Sequence, residues 1–176
     1  MRLEGKQKVG LPQAAAYQRL QDPHVLRACT PGLEKLEPRD ADHYDAVLEV
    51  KLPAISGRFE GTLDFLERRP ASLLRLRLAG KGSVGFVDGE VALELSPVDD
   101  GTSVAYVADV QVGGQVARLG QRMLSGVTRE MAGQFFAAFE RYRPEAPDAP
   151  IAPSQGRSLV QLVWRSLLRI LGLRRD

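Results

Sequence analysis

Between residues 33 and 112 apolar and polar side chains alternate with a period of two, the mark of strands with one buried and one wet face. Tyr44, Ala46, Leu48, Val50 and Leu52 share a face opposite Asp45, Glu49 and Lys51. Phe59, Gly61, Leu63 and Phe65 oppose Arg58, Glu60, Thr62 and Asp64, while Leu74, Leu76 and Leu78 oppose Arg75 and Arg77. Val91, Leu93 and Leu95 oppose Glu90 and Glu94. Val104, Tyr106, Ala108, Val110 and Val112 oppose Ser103, Asp109 and Gln111. This alternation predicts an antiparallel sheet covered on one side only. Pro53, Arg69-Pro70, the glycines of 80–89 and Asp99-Asp100-Gly101 supply the turns.

A further strand is expected over 2–9, ended by Gly10. Pro12 fits the first position of a short helix over 12–20. Asp22 and Pro23 then serve as N-cap and first residue of a second, which runs to Cys29 and stops at Thr30-Pro31-Gly32. After Gly113-Gly114 the period lengthens to 3.6 residues. Val116, Leu119, Met123, Val127, Met131, Phe135, Ala138 and Tyr142 form one stripe along a single long helix. The sheet's apolar face is the large surface available to receive that stripe. The expected fold is α+β: a curved antiparallel sheet of about six or seven strands, wrapped on a long C-terminal helix, with two short helices after the first strand.

The chain of 176 residues has a net charge of +2, too little to argue for nucleic acid as a partner. The charge is uneven. Residues 157–176 hold Arg157, Arg165, Arg169, Arg174 and Arg175 against Asp176, a net of +4, which leaves −2 for the rest. Before this tail, over 143–157, Pro144, Pro147, Pro150 and Pro153 recur every third residue, the period of a semi-rigid polyproline II spacer. Over 158–176 Leu159, Leu162, Trp164, Leu167, Leu168 and Leu171 surround a narrow polar stripe that contains Arg165 and Arg169. A helix over 158–173 would measure about 24 Å, short of a bilayer's roughly 30 Å hydrocarbon core. Lying in the membrane interface suits it better, with Arg157, Trp164, Arg165, Leu168, Arg169, Arg174 and Arg175 as the contact residues. Docking on the body or on a protein partner is the alternative. The organisation expected is therefore a domain over 1–142, a linker over 143–157 and a membrane-association helix over 158–176.

Candidate chemistry is sparse. His24 and His43 stand apart from any partner at metal-ligand spacing, and the single cysteine, Cys29, reads as a small buried hydrophobe. The run Gly80-Lys81-Gly82-Ser83 lacks the Gly-Lys-Ser/Thr ending of a phosphate loop and precedes a strand. No catalytic constellation and no metal site emerges. Glycine is more telling: Gly57, Gly61, Gly80, Gly82, Gly85 and Gly89 crowd the middle strands, where bulges, curvature or a bulky guest would justify them. A concave space lined by Phe59, Leu63, Leu78, Phe86, Val91 and Tyr106, roofed by Met123, Val127 and Met131, is the candidate ligand site. Its mouth is expected between the long helix and the hairpin at 82–85. A cavity above about 300 Å³ beside the helix would favour a ligand; a filled interior would favour a scaffold.

The segment Leu20-Gln21-Asp22-Pro23-His24-Val25-Leu26, then Cys29-Thr30-Pro31-Gly32, resembles a D-P-x-x-L helix followed by a C-x-P-G turn. Gly57-Arg58-Phe59-Glu60-Gly61, the Gly80-Lys81-Gly82 turn, and Val112-Gly113-Gly114 leading through Leu119-Gly120 to Gln134-Phe135-Phe136 go with it. Taken in order over residues 1–142, these motifs look like the carbon monoxide dehydrogenase CoxG family, within the START-related helix-grip superfamily. The resemblance implies a non-catalytic accessory to a molybdenum-containing carbon monoxide dehydrogenase or related molybdenum hydroxylase, on the inner face of the cytoplasmic membrane. It implies no covalent cofactor, and a cavity of a kind that binds lipids. A membrane quinone, menaquinone or another isoprenoid lipid, is the coherent ligand. A ligand-free anchoring scaffold and a polyketide-cyclase-type enzyme are the other readings.

Overall fold

The computed structural model describes residues 1–143; the spacer beyond Arg143 and the basic tail expected from the sequence lie outside the described residues. Seven antiparallel strands form one sheet: β1 (Arg2–Val9), β2 (Leu33–Pro38), β3 (His43–Leu52), β4 (Ile55–Arg69), β5 (Leu73–Gly82), β6 (Gly85–Val98) and β7 (Gly101–Gly114). Their order is β1-β7-β6-β5-β4-β3-β2, a hairpin meander whose last strand returns beside the first. Between β1 and β2 lie α1 (Gln13–Arg19) and α2 (Pro23–Cys29), and α3 (Gln115–Arg118) and α4 (Gly120–Arg141) follow the sheet. This is the α+β helix-grip arrangement that the alternation and the closing 3.6-residue period require.

The local signals act largely as expected. Asp22 caps α2, its Oδ1 accepting from the His24 amide at 2.8 Å, with Pro23 in the first turn. Pro12 sits one place earlier than expected: it is the N-cap of α1, extended at ψ 145°, and its carbonyl accepts from the Ala16 amide. The single long helix expected after Gly114 is two. Gly120 adopts φ +71°, a left-handed conformation that glycine alone adopts cheaply, and it divides α3 from α4.

Curvature comes from β-bulges and close backbone approach. Register shifts between Leu33 and Lys35 and between Phe65 and Glu67 bend the two strands of that half of the sheet. At Gly61 a Cβ would fall 1.7 Å from the Ala79 carbonyl oxygen, so only glycine lets β4 and β5 come this close.

α4 runs along the edge strand β1 in the same direction. Gln121 Nε2 donates to the Arg2 carbonyl at 3.0 Å near one end, and Glu140 Oε1 accepts from the Gly10 amide at 2.8 Å near the other. α4 also packs on α2, which reaches across to β2 at the opposite edge of the sheet. One end of the concave face is thereby closed. Its core joins Val9, Leu20, Val25, Leu74 and Val104 to Phe136 and Phe139. A second core, around Leu3, Val50, Phe59, Val116 and Leu124, lies toward the other end, and a third, around Leu36, Tyr44, Phe65 and Leu76, lines the β2–β3 side.

Candidate functional site

Register fixes which side chains meet on the concave face. Leu63 pairs with Leu78, and Leu78 with Gly89. Val91 lies between Leu76 and Ala108, and Tyr106 between Gly5 and Leu93. Phe59 is buried, and Leu63 and Val91 are half-buried. Leu78, in the middle of this apolar surface, is nevertheless 39% exposed. Around it the strands offer Gly61, Gly80 and Gly89 instead of side chains, and α4 does not descend to fill the space. A Cβ on Gly80 would meet nothing nearer than Phe59, at 3.7 Å.

The reason lies in how α4 is turned. Its buried residues are Leu124, Phe136 and Phe139, which face β1, α2 and the closed end. The expected stripe Met123–Val127–Met131 is centred about 100° away around the helix, at 100° per residue. Val127 and Met131 are half-buried, and Met123 is 49% exposed. The stripe therefore borders the concave space instead of plugging it. Across from it stands the β3–β4 turn, and between the two lies a cleft of about 280 Å³ lined by Leu52, Pro53, Ala54, Met123, Gly126, Val127 and Glu130. That volume is just under the 300 Å³ set above, and it opens directly beside α4. Gly126 faces open space, with nothing within 4 Å of where its Cβ would stand.

Three sequence expectations need correction. Phe86 is not in the cavity: it pairs with Lys81 and Gly113 on the outer face, while Val87 points inward. The ring covers Gly113, where a Cβ would fall 2.0 Å from it, and Phe86 stays 44% exposed. Tyr106 points inward, but its ring lies across Gly5 of β1, whose Cβ would fall 2.1 Å from the hydroxyl. It sits in the seam beneath α4, where burial raises its pKa and Arg129 opposes that shift. Finally, the hairpin at 82–85 is no mouth. The Val84 carbonyl accepts from the Val116 amide, and Val84 packs into the second core. Sequence reading missed the opening at Leu52, Pro53 and Ala54, although that turn is marked by its apolar residues and proline.

Polar groups on the concave face are few and largely committed. Thr102 Oγ1 donates to the Leu11 carbonyl at 2.7 Å. Arg68 bonds Asp42 and lies 4.2 Å over the Phe65 ring. Cys29 is buried, which raises its pKa, so its thiol is a packing group. Among the described residues no group of three His, Cys, Asp or Glu side chains is placed to hold a metal. A larger hollow of about 500 Å³ lies on the outer face, between Arg75, Arg77, Asp88, Glu90 and Asp109. There Arg75 pairs with Glu90 at 2.9 Å and Arg77 with Asp88 at 3.0 Å, so it offers no apolar lining. The concave face is the site suited to an apolar guest.

The membrane-contact residues Arg157, Trp164, Arg165, Leu168, Arg169, Arg174 and Arg175 lie outside the described residues. Among the described residues no helix is long and apolar enough to cross a membrane.

Comparison with known proteins places this geometry. The family model of the carbon monoxide dehydrogenase G chain, CoxG, matches residues 5–142. The crystal structure of a conserved protein from Geobacillus kaustophilus is 30% identical, with a TM-score of 0.76, over 80% of this chain and 93% of that one. A START superfamily protein from Mycobacterium smegmatis is 15% identical, with a TM-score of 0.60, over 80% and 94% of the two chains. A protein from Rhodobacter sphaeroides is 16% identical, also with a TM-score of 0.60, over 80% and 90%. The last two likenesses concern the fold alone. No curated protein matches the chain.

Proposed function

Because the chain belongs to the carbon monoxide dehydrogenase CoxG family, we propose that it is a non-catalytic accessory of a molybdenum-containing carbon monoxide dehydrogenase or a related hydroxylase. In this reading it binds a membrane quinone, menaquinone or a similar isoprenoid lipid, on the concave face and couples the enzyme to the membrane quinone pool. The tail holds it at the inner face of the cytoplasmic membrane.

One observation carries the ligand: an apolar surface inside the fold is left uncovered. Leu78, 39% exposed in the middle of the concave face, and Met123, 49% exposed at its rim, remain in water although a helix lies beside them. Burying such surface is worth about 25 cal/mol per Å², so an apolar guest gains wherever the fold does not bury it. A cleft of about 280 Å³ is small for a whole long-chain lipid. The uncovered strip beyond it, past Val127 to Leu78, would extend the contact along a chain. Met123 and Met131, flexible and polarizable, suit a wall that must fit a variable guest.

The test is mass spectrometry of organic extracts from natively purified full-length protein, beside Val127→Trp. An isoprenoid lipid in the wild type and its loss in the variant is the expected result. Unchanged stoichiometry in Val127→Trp would move the site elsewhere. Absence of any lipid from the wild type would leave the ligand-free scaffold.

A further inference from the structure

The open end of the fold carries a surface that ligand binding alone does not explain. The β3–β4 turn, the β5–β6 turn and the α3–α4 segment converge there. Met123 projects at the lip beside Leu52, Pro53 and Ala54, and Phe86 stands exposed on the outer face behind the β5–β6 turn.

The charges around this apolar tip are one-sided. Residues 115–129 contain Arg118, Arg122 and Arg129 and no acidic residue. Lys81 joins them from the β5–β6 hairpin, and Lys81, Arg118 and Arg122 are all exposed. Other cations near this end have partners: Arg2 lies 3.7 Å from Glu4, Lys51 2.7 Å from Glu49 and Arg58 3.0 Å from Glu34. Lys81, Arg118 and Arg122 enter no ion pair among the described residues. Glu130, the acidic residue of the cleft, lies seven residues beyond Met123, about 10 Å deeper along α4. The turn acids Asp40, Asp42, Asp99 and Asp100 gather at the opposite, closed end.

We propose that the folded domain docks its open end directly on an anionic bilayer. Met123 and the 52–54 turn enter the headgroup region, and Lys81, Arg118 and Arg122 meet lipid phosphates. An interfacial surface needs only a few apolar side chains immersed about 5–10 Å with cations at headgroup level. A stable protein interface needs about 800 Å² per partner with an apolar centre. The narrow tip ringed by unpaired cations fits the first requirement. Docking in this pose would press the cleft's mouth against the lipid, so a guest would enter or leave without crossing water. That consequence rests on the ligand reading above; the docking itself does not.

The experiment uses the full-length chain with a polarity-sensitive fluorophore on an introduced cysteine: Ala54→Cys or Met123→Cys at the open end, Val98→Cys at the other. Cys29, 3% exposed, does not compete for the label. Vesicles of phosphatidylcholine mixed with phosphatidylglycerol should blue-shift the labels at 54 and 123 and leave the label at 98 unchanged. Inorganic phosphate alone should shift none. Arg118→Gln and Arg122→Gln should each weaken the open end's docking about fivefold, even where the tail still carries the chain down with the vesicles. The proposal is overturned if labels at 54 and 123 stay in water while the chain sediments with vesicles. Equal shifts at 98, equal shifts with phosphatidylcholine alone, or shifts seen only with a partner enzyme would also overturn it. Lipid co-purification is measured separately, so an empty cavity and a failed docking surface give different results.

Discussion

A methyl group would meet opposite fates at Gly61 and Gly126. At Gly61 it would strike the Ala79 backbone oxygen, which cannot move without separating β4 from β5. Gly61→Ala should therefore destabilise the domain by about 1–3 kcal/mol or more, read as a lower urea midpoint. At Gly126 nothing stands within 4 Å, so Gly126→Ala should raise stability by up to about 1 kcal/mol through helix propensity. It should also narrow the cleft, so melting temperature and bound lipid should move in opposite directions. A second pair reports on pH. His43 Nδ1 lies 2.7 Å from Asp40 Oδ1, and this bond raises the histidine's pKa. Asp40 is lowered, first by the Asp42 amide and then by His43. His43's contribution is full below its unfolded pKa of about 6.5 and is lost as pH rises through the raised folded value. Asp40's is present above about pH 3.9 and is lost as pH falls through its lowered folded value. The pair should thus stabilise most between roughly pH 4 and 6.5, and Asp40→Asn should lower the His43 midpoint in an NMR titration. Most inward residues, Phe59 to Tyr106, are legible from alternation. Phe86 is not, because the glycines of 80–89 carry no side chains to mark the phase on either side of it.

At the scale of elements, the strands and the Asp22-Pro23 helix start were readable because each rests on local chemistry: alternation, a cap, a turn residue. The division of α3 from α4 was not. The apolar positions keep their three- and four-residue spacing across Leu119-Gly120, so the pattern alone cannot show that Gly120 turns left-handed. Nor can it show which side of the stripe is gripped, since that depends on β1 and α2, which are distant in sequence. The outcome is a helix held unequally. Its second half is fixed by Phe135, Phe136 and Phe139, with ring centroids 5.1–6.1 Å apart, and Phe139 is 0% exposed. In its first half only Leu124 is buried. Amide exchange should therefore be faster over 120–128 than over 135–141. Phe139→Ala should cost about 3–5 kcal/mol, while Met123→Ala should cost much less. Uniform protection along α4 would mean that the cleft side is as well packed as the closed end.

For the molecule as a whole, the question is how the work of reaching a membrane is divided between body and tail. The described body carries 19 basic and 19 acidic residues, so its attraction to lipid comes from placement and not from net charge. The tail, by contrast, concentrates five arginines beside Trp164 and its leucines. At about 1 kcal/mol for each basic residue near an anionic leaflet, those arginines should contribute roughly 4–5 kcal/mol at modest salt. Truncation after Pro153 should accordingly move most of the protein into the soluble fraction, leaving weak, salt-sensitive binding through Arg118 and Arg122. The described core runs from Leu3 to Phe139 and draws on every layer of the fold, so the truncated domain should melt within a few degrees of the full chain. Arg165→Glu with Arg169→Glu, in the full chain, should weaken binding to phosphatidylglycerol vesicles far more than to phosphatidylcholine vesicles. A different pair of results would reverse the assignment. If truncation lowers the melting temperature sharply and the full chain ignores vesicles of either kind, the tail is a helix that docks on protein, and the membrane role of the chain falls with it.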